Sequence, residues 1–170
     1  DPDETTGLAH YFEHLLFKAT SSFGTMNWEK EAPLLDSFTS LFELHMRETD
    51  SVKRIGIYKL IDEMSTEAAA YAIPNEYDKM MSDIGAKYTN AFTSNELTAY
   101  MNDIPANELK KWLVLEENRL GETALRLFHT ELETVYEEFN MYQDDDYSRA
   151  YNALSKALFP THPLGRDVIG

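Results

Sequence analysis

The stretch that most constrains this chain is Gly7 to Lys18, GLAHYFEHLLFK, in which His10, Glu13 and His14 follow the spacing H-x-x-E-H. Tyr11, Phe12, Leu15, Leu16 and Phe17 fill the positions between and after them, so the segment reads as a helix with an apolar surround. At about 3.6 residues per turn, His10 and His14 stand one above the other and Glu13 lies beside them. Two imidazoles so placed can hold one metal ion from one side. The carboxylate is then close enough to take a proton from a water on that metal.

The chain contains no cysteine, which excludes disulfides and thiolate ligands and leaves His, Asp and Glu to complete a metal site. Its 170 residues, 43% hydrophobic, suffice for one domain with a core. A formal charge of −15 argues against nucleic acid and anionic membrane as partners and favours basic or neutral peptides. No apolar run has the length of a membrane span.

In chain order, DPDETT is polar and turn-like, with Thr5 or Thr6 placed to cap a helix from near Gly7 that ends between Thr20 and Gly24. Amphipathic patterns over Trp28 to Glu48 and Ser51 to Tyr71 predict an antiparallel helical hairpin turning near Thr49 and Asp50. His45 falls on a face of the first helix without a partner at metal-ligand spacing. Pro74 can open a third helix that stops at Gly85. Between Lys87 and Asp103 the period changes to two, and Ser94 and Asn95 supply a turn, so a β-hairpin is expected. A further helix follows, with Leu109, Trp112, Leu113 and Leu115 or Glu116 at core spacing and Gly121 at its end. In ELETVYEEFNMYQDDD, helical phase puts Val135 and Phe139 on one side and Glu131 and Glu138, seven apart, on another. A last helix runs from Ser148 to Phe159, and His162 in the following His-Pro pair reads as structural.

GLAHYFEHLLFKAT resembles, almost residue for residue, the active-site helix of the pitrilysin and insulinase family of zinc metallopeptidases, whose signature is this inverted H-x-x-E-H. The resemblance implies an α+β fold, here a mainly helical part of a mitochondrial-processing-peptidase-like metallohydrolase domain with a β-hairpin. It implies zinc held by His10, His14 and one further acid, with Glu13 as the general base. ELETVYEEFNMYQDDD is similar to the family segment carrying the third ligand, which makes Glu138 that ligand, Glu137 its nearest rival, and Glu131 a carboxylate that fixes the tautomer of a ligating histidine. GAKYTNAFTSNELTAY looks like the family strand that binds substrate backbone along the cleft, so Asn90, Ala91, Phe92 and Thr93 are expected to contact substrate through main-chain pairing.

The sequence departs from the family in two ways. His14 and Glu138 stand further apart than in the family, and the excess falls between Thr20 and Gly85, so residues 25–75 read as a helical-hairpin insertion in a partial peptidase half-domain spanning 1–170. The strands that flank this interior in the family are also missing. The resemblance therefore implies a zinc endopeptidase that works with a second homologous half-domain or subunit on a peptide substrate, the isolated piece being inactive. The competing class is a non-catalytic zinc- or peptide-binding half of such a complex, against which the intact His10, Glu13 and His14 argue. The resemblance to long-insert bacterial members leans towards the periplasm or cell envelope.

Overall fold

Gly7 sets where the first helix begins. It adopts φ +81°, a left-handed conformation that penalises any residue with a Cβ, and a Cβ there would lie 2.2 Å from the Ile169 carbonyl oxygen. In the computed structural model, which describes residues 1, 5–18 and 20–170, helix α1 then spans Leu8–Leu15. Neither Thr5 nor Thr6 caps it. The Asp1 carboxylate accepts instead from the amides of Gly7 at 3.1 Å and Ala9 at 2.9 Å, an anion at the positive end of the helix. The turn expected over DPDETT falls partly on residues 2–4, which lie outside the described residues.

Helix α1 also stops short of the expected Thr20–Gly24. The amides of Phe17 and Lys18 reach back three residues, to the carbonyls of His14 and Leu15, which tightens the last turn. Beyond it, the carbonyls of Lys18, Thr20 and Phe23 accept from the buried guanidinium of Arg126, so they no longer point along a helix axis.

The two amphipathic patterns form α2 (Trp28–Arg47) and α3 (Ser51–Ala69). Asn27 caps the first by accepting from Lys30 N at 3.1 Å, and Asp50 caps the second by accepting from Val52 N and Lys53 N at 2.9 Å. The hairpin is closed at its base: Thr25 bridges Ala72, Met26 N donates to Tyr71 O, and Ile73 N donates to Gly24 O. Its two ends thus lie side by side, so the excursion fits the chain without separating what flanks it. Glu31, Phe38, Ile61 and Ala68 are buried, while Leu44, Met46, Val52 and Ile55 face solvent.

Helix α4 (Glu76–Asp83) starts two residues after Pro74 and stops before Gly85, which takes φ +83°. Strands β1 (Tyr88–Thr93) and β2 (Thr98–Asp103) pair antiparallel in the register Asn90↔Met101, Ala91↔Tyr100, Phe92↔Ala99, Thr93↔Thr98. Among the described residues, no further strand joins this two-stranded sheet.

A 3-10 turn at Ala106–Glu108 leads into α5 (Leu109–Gly121), followed by α6 (Phe128–Asp144) and α7 (Asp146–Leu158). Of the expected core face of α5, Trp112, Leu115 and Glu116 turn inward, joined by Arg119, whereas Leu109 and Leu113 are exposed. Aromatic rings drive that phase, because the Arg119 guanidinium lies over the Tyr100 ring, 4.1 Å from its centroid, while its NH groups pair with Glu116. Among the described residues, two apolar clusters of buried side chains pack around the site. Phe23, Tyr77 and Met81 pack with Phe17, Trp112 and Leu115 beneath the β-hairpin. Tyr11, Leu15 and Val135 pack with Phe128 between α1 and α6. The second cluster sets the relation of the two helices that carry the site. No helix among the described residues is long and apolar enough to cross a membrane.

Candidate metal centre

The site is built where α1 crosses α6. The Tyr11 hydroxyl donates to the Phe128 carbonyl at 2.6 Å and so pins the start of α6 to α1. Val135 is buried in the seam. Glu131 lies one turn before it and Glu138 almost one turn after, so both carboxylates emerge beside α1. His10 and His14 face them with rings 4.9 Å apart and nearly perpendicular.

Glu138 Oε2 lies 3.8 Å from His10 Nε2 and 3.6 Å from His14 Nε2. One ligand atom from each of the three residues falls within 4.8 Å of the others. With zinc-to-ligand bonds of about 2.0–2.2 Å, neighbouring ligands of a tetrahedral ion stand roughly 3.4 Å apart, so the donor set fits one small cation. Among the described residues, this is the only His, Asp and Glu group with that property. Glu137, the alternative third ligand, is exposed and outside the cluster.

Glu131 is buried on the other side of His14. Its Oε2 lies 3.5 Å from His14 Nδ1, and its Oε1 takes the Lys18 ammonium at 2.8 Å. Burial by itself would raise the Glu131 pKa, but hydrogen bonds from His14 and Lys18, with their charges, hold it below the ordinary carboxylate value. The same hydrogen bond, donated by His14 to Glu131, opposed by burial and helped by the charge of Glu138, raises His14 above the usual imidazole value. An ionised Glu131 favours the His14 tautomer with the proton on Nδ1, leaving Nε2 free towards Glu138. His10 has no such support. Its Nδ1 is buried without a partner among the described residues.

Glu13 is buried at 7% exposure and turns towards the β-hairpin, where the Thr93 hydroxyl donates to its Oε2 at 2.5 Å. The Tyr100 hydroxyl donates to the Glu13 carbonyl at 3.4 Å. Thr93, His10 and Glu138 together line a cavity of about 270 Å³ whose far wall includes Tyr142, Tyr151 and Ile169. The Glu13 carboxylate and the His10, His14 and Glu138 cluster are thus joined by one threonine. Of the four expected substrate contacts, Thr93 is the one brought to Glu13; Ala91 shares its half-buried face, and Asn90 and Phe92 face outward. His45 stands away from the centre, its ring tilted against that of Tyr58, and the His162 ring accepts from Leu164 N, as a structural residue would.

Sequence reading missed Lys18, Arg119 and Arg126. A signal existed for Lys18, which lies four residues after His14 and eight after His10 on the same helix face. Arg126 gave none, because its partners are carbonyls and a glutamate far away in the chain.

Two histidines one helical turn apart, an acid from a second helix and a buried glutamate between the histidines define the class: an α+β protein with a cluster able to hold a metal ion, of the inverted H-x-x-E-H type. Residues 45–170 match the family model described as Insulinase (Peptidase family M16), and the chain belongs to that family. The match includes Glu131 and Glu138 but not α1, so the H-x-x-E-H helix and the family match are separate observations that meet at one site. No curated protein matches the chain.

Proposed function

We propose that the chain supplies the metal-binding half of a zinc-dependent endopeptidase, with His10, His14 and Glu138 as ligands and Glu13 as general base. The convergence of the three ligand atoms within 4.8 Å carries this reading. Two neutral imidazoles, one carboxylate and no sulfur suit zinc, and three protein ligands leave a position open. When bound, zinc polarises the scissile carbonyl and lowers the pKa of water towards neutrality.

The remaining work falls to the chain's own residues. Thr93 occupies Glu13 Oε2, which leaves Oε1 to accept the proton of the attacking water and return it to the leaving amine. Glu131 keeps His14 oriented, and Lys18 keeps Glu131 ionised.

Substrate lies along β1. The Ser94 amide donates to Leu97 O across the turn. Because bonded pairs alternate in an antiparallel ladder, the main-chain groups of Ala91 and Thr93 then face away from β2, towards the open edge. An edge of this kind reads peptide backbone and accepts broad sequences. The 1–170 chain corresponds to the interior of a processing-peptidase-like half-domain, residues 25–75 being an insertion. A second half or subunit supplies the opposite wall of the cleft, and the enzyme acts in a bacterial envelope compartment.

The test is zinc content of the dialysed chain, followed by hydrolysis of an internally quenched peptide with a homologous second half supplied. About one zinc per chain and hydrolysis that Glu13→Gln abolishes are expected. A chain that takes up no zinc overturns the proposal.

A further inference from the structure

Arg126 donates hydrogen bonds to four residues distant in the chain, Glu31, Lys18, Thr20 and Phe23, none of which is a proposed ligand. It is buried to 1% exposure, and its partner Glu31, from α2, to 0%. Its Nε and Nη2 donate to the Glu31 carboxylate at 2.5 and 2.8 Å. Its remaining N–H groups donate to the carbonyls of Lys18 at 3.3 Å, Thr20 at 3.1 Å and Phe23 at 3.4 Å. All five guanidinium donors are thereby used.

These contacts join three pieces of chain that the metal centre needs in register. The carbonyls belong to the segment leaving α1, which carries His10 and His14. Arg126 itself lies two residues before α6, which carries Glu131 and Glu138. The carboxylate comes from the helical hairpin. Lys18, whose carbonyl is held, is the residue whose ammonium reaches Glu131 Oε1, and Glu131 Oε2 faces His14 Nδ1. Leu127, next in the chain, is forced to φ +56°, a conformation that a branched side chain takes only where its surroundings over-determine it.

We propose that Arg126, clamped by Glu31 of the α2–α3 hairpin, is a positioning residue for the metal centre, acting through Lys18 and Glu131 on His14. The hairpin is then a working part of the site, because its buried carboxylate neutralises the cation that sets the geometry of α1 against α6. This inference rests on the metal-centre reading given above.

Arg126→Lys tests it. Lysine keeps the charge for Glu31, but three donors on a tetrahedral ammonium cannot serve a carboxylate and three carbonyls in the guanidinium plane. The measurements are zinc affinity, by competition with a chromophoric chelator, and the visible spectrum of the cobalt-loaded chain, which reports ligand geometry. Weakening by about 10-fold or more is expected, as for other changes to groups that orient metal ligands, with an altered cobalt spectrum. Ile61→Ala, which empties a buried position of α3 outside these hydrogen bonds, is expected to lower Tm while changing neither readout.

Should Arg126→Lys fail to fold, Glu31→Met with Arg126→Met removes both buried charges together, a replacement that often preserves stability. The same loss of zinc affinity is expected. Wild-type affinity and spectrum in either folded variant overturn the proposal, as does an equal affinity loss in Ile61→Ala. An unaltered chain that binds no zinc refutes the metal centre itself, and this inference falls with it, a result seen before any variant is made.

Discussion

Glu138 is the anionic member of the proposed ligand set, so Glu138→Gln perturbs the centre most directly. Its Oε2 stands 3.8 and 3.6 Å from the two Nε2 atoms, and glutamine keeps that reach and an oxygen acceptor while removing the charge. Changing a residue one step out, such as Glu131, typically costs 10–100-fold in metal affinity. A residue that touches the ion should exceed the top of that range, a loss of more than about 100-fold or roughly 2.8 kcal/mol. Chelator competition reads this directly, and thermal melting reads it by linkage. At a zinc concentration of about 100 times the wild-type Kd, binding adds about 2.7 kcal/mol. At about 2–4 °C per kcal/mol for a domain of this size, Tm rises by roughly 5–11 °C. At the same zinc concentration the variant gains only about 0.4 kcal/mol, or roughly 1–2 °C. Glu13→Gln is the control: its carboxylate is turned to Thr93 and lies outside the ligand set, so zinc affinity should stay within about threefold while turnover falls by about 10²–10⁴. Equal metal loss in both variants, or none in Glu138→Gln, refutes the assigned roles.

Gly7→Ala forces a Cβ against the Ile169 carbonyl at φ +81°; it should cost at least the ~1–2 kcal/mol of a left-handed residue, seen as a Tm drop of about 2 °C or more, and an unchanged Tm would show that the start of α1 relaxes freely. Lys18→Met removes the ammonium 2.8 Å from Glu131 Oε1 and should weaken zinc binding by about 10-fold with the circular dichroism spectrum unchanged; full affinity would show that Glu131 needs no cation. Burial raises the phenols of Tyr77, helped by its hydrogen bond to Glu116, and of Tyr100, the latter to about 12 against the opposing charge of Arg119. Because the folded chain holds these protons more tightly, their stabilisation is complete below about pH 10 and is lost as pH rises through the folded values. The denaturation midpoint should therefore fall between about pH 10 and 12, and a midpoint that stays constant across that range would contradict the burial of these rings.

The elements written in hydrophobic periodicity were legible, and those set by buried charge were not. The α2–α3 hairpin, the β-hairpin and α6 follow from apolar spacing with Asn27, Asp50 and the Ser94 turn as punctuation. His10, His14 and Glu138 were legible for different reasons. The histidines share one helix, so spacing alone pairs them, whereas Glu138 came from likeness to a family, since helix phase cannot say which of several acids crosses to another helix. The early end of α1 and the burial of Arg119 on α5 were missed together. In both cases an arginine decides: Arg126 draws carbonyls out of helical alignment, and Arg119 is drawn inward by Tyr100 and Glu116. Pattern rules place arginine at the surface, and a guanidinium whose partners are distant in sequence gives no local sign that it will be buried.

Burying charge is costly unless every polar atom is met, and in this chain the cost is concentrated around α1. Glu31 with Arg126, Glu116 with Arg119, and Glu131 with Lys18 all lie against that helix, its exit or the hairpin that holds Glu13. Replacing the first two pairs by apolar residues would give an ordinary core, but it would leave the orientation of α1 to side chains that slide. Fixed hydrogen bonds set direction as well as distance. The outcome is asymmetric: His14 is oriented from behind by Glu131, whereas His10 Nδ1 is buried without a partner among the described residues. Of the three proposed ligands, His14 is therefore the one held from behind, by Glu131 and its partner Lys18, and the orientation of His10 is left for a bound ion to set.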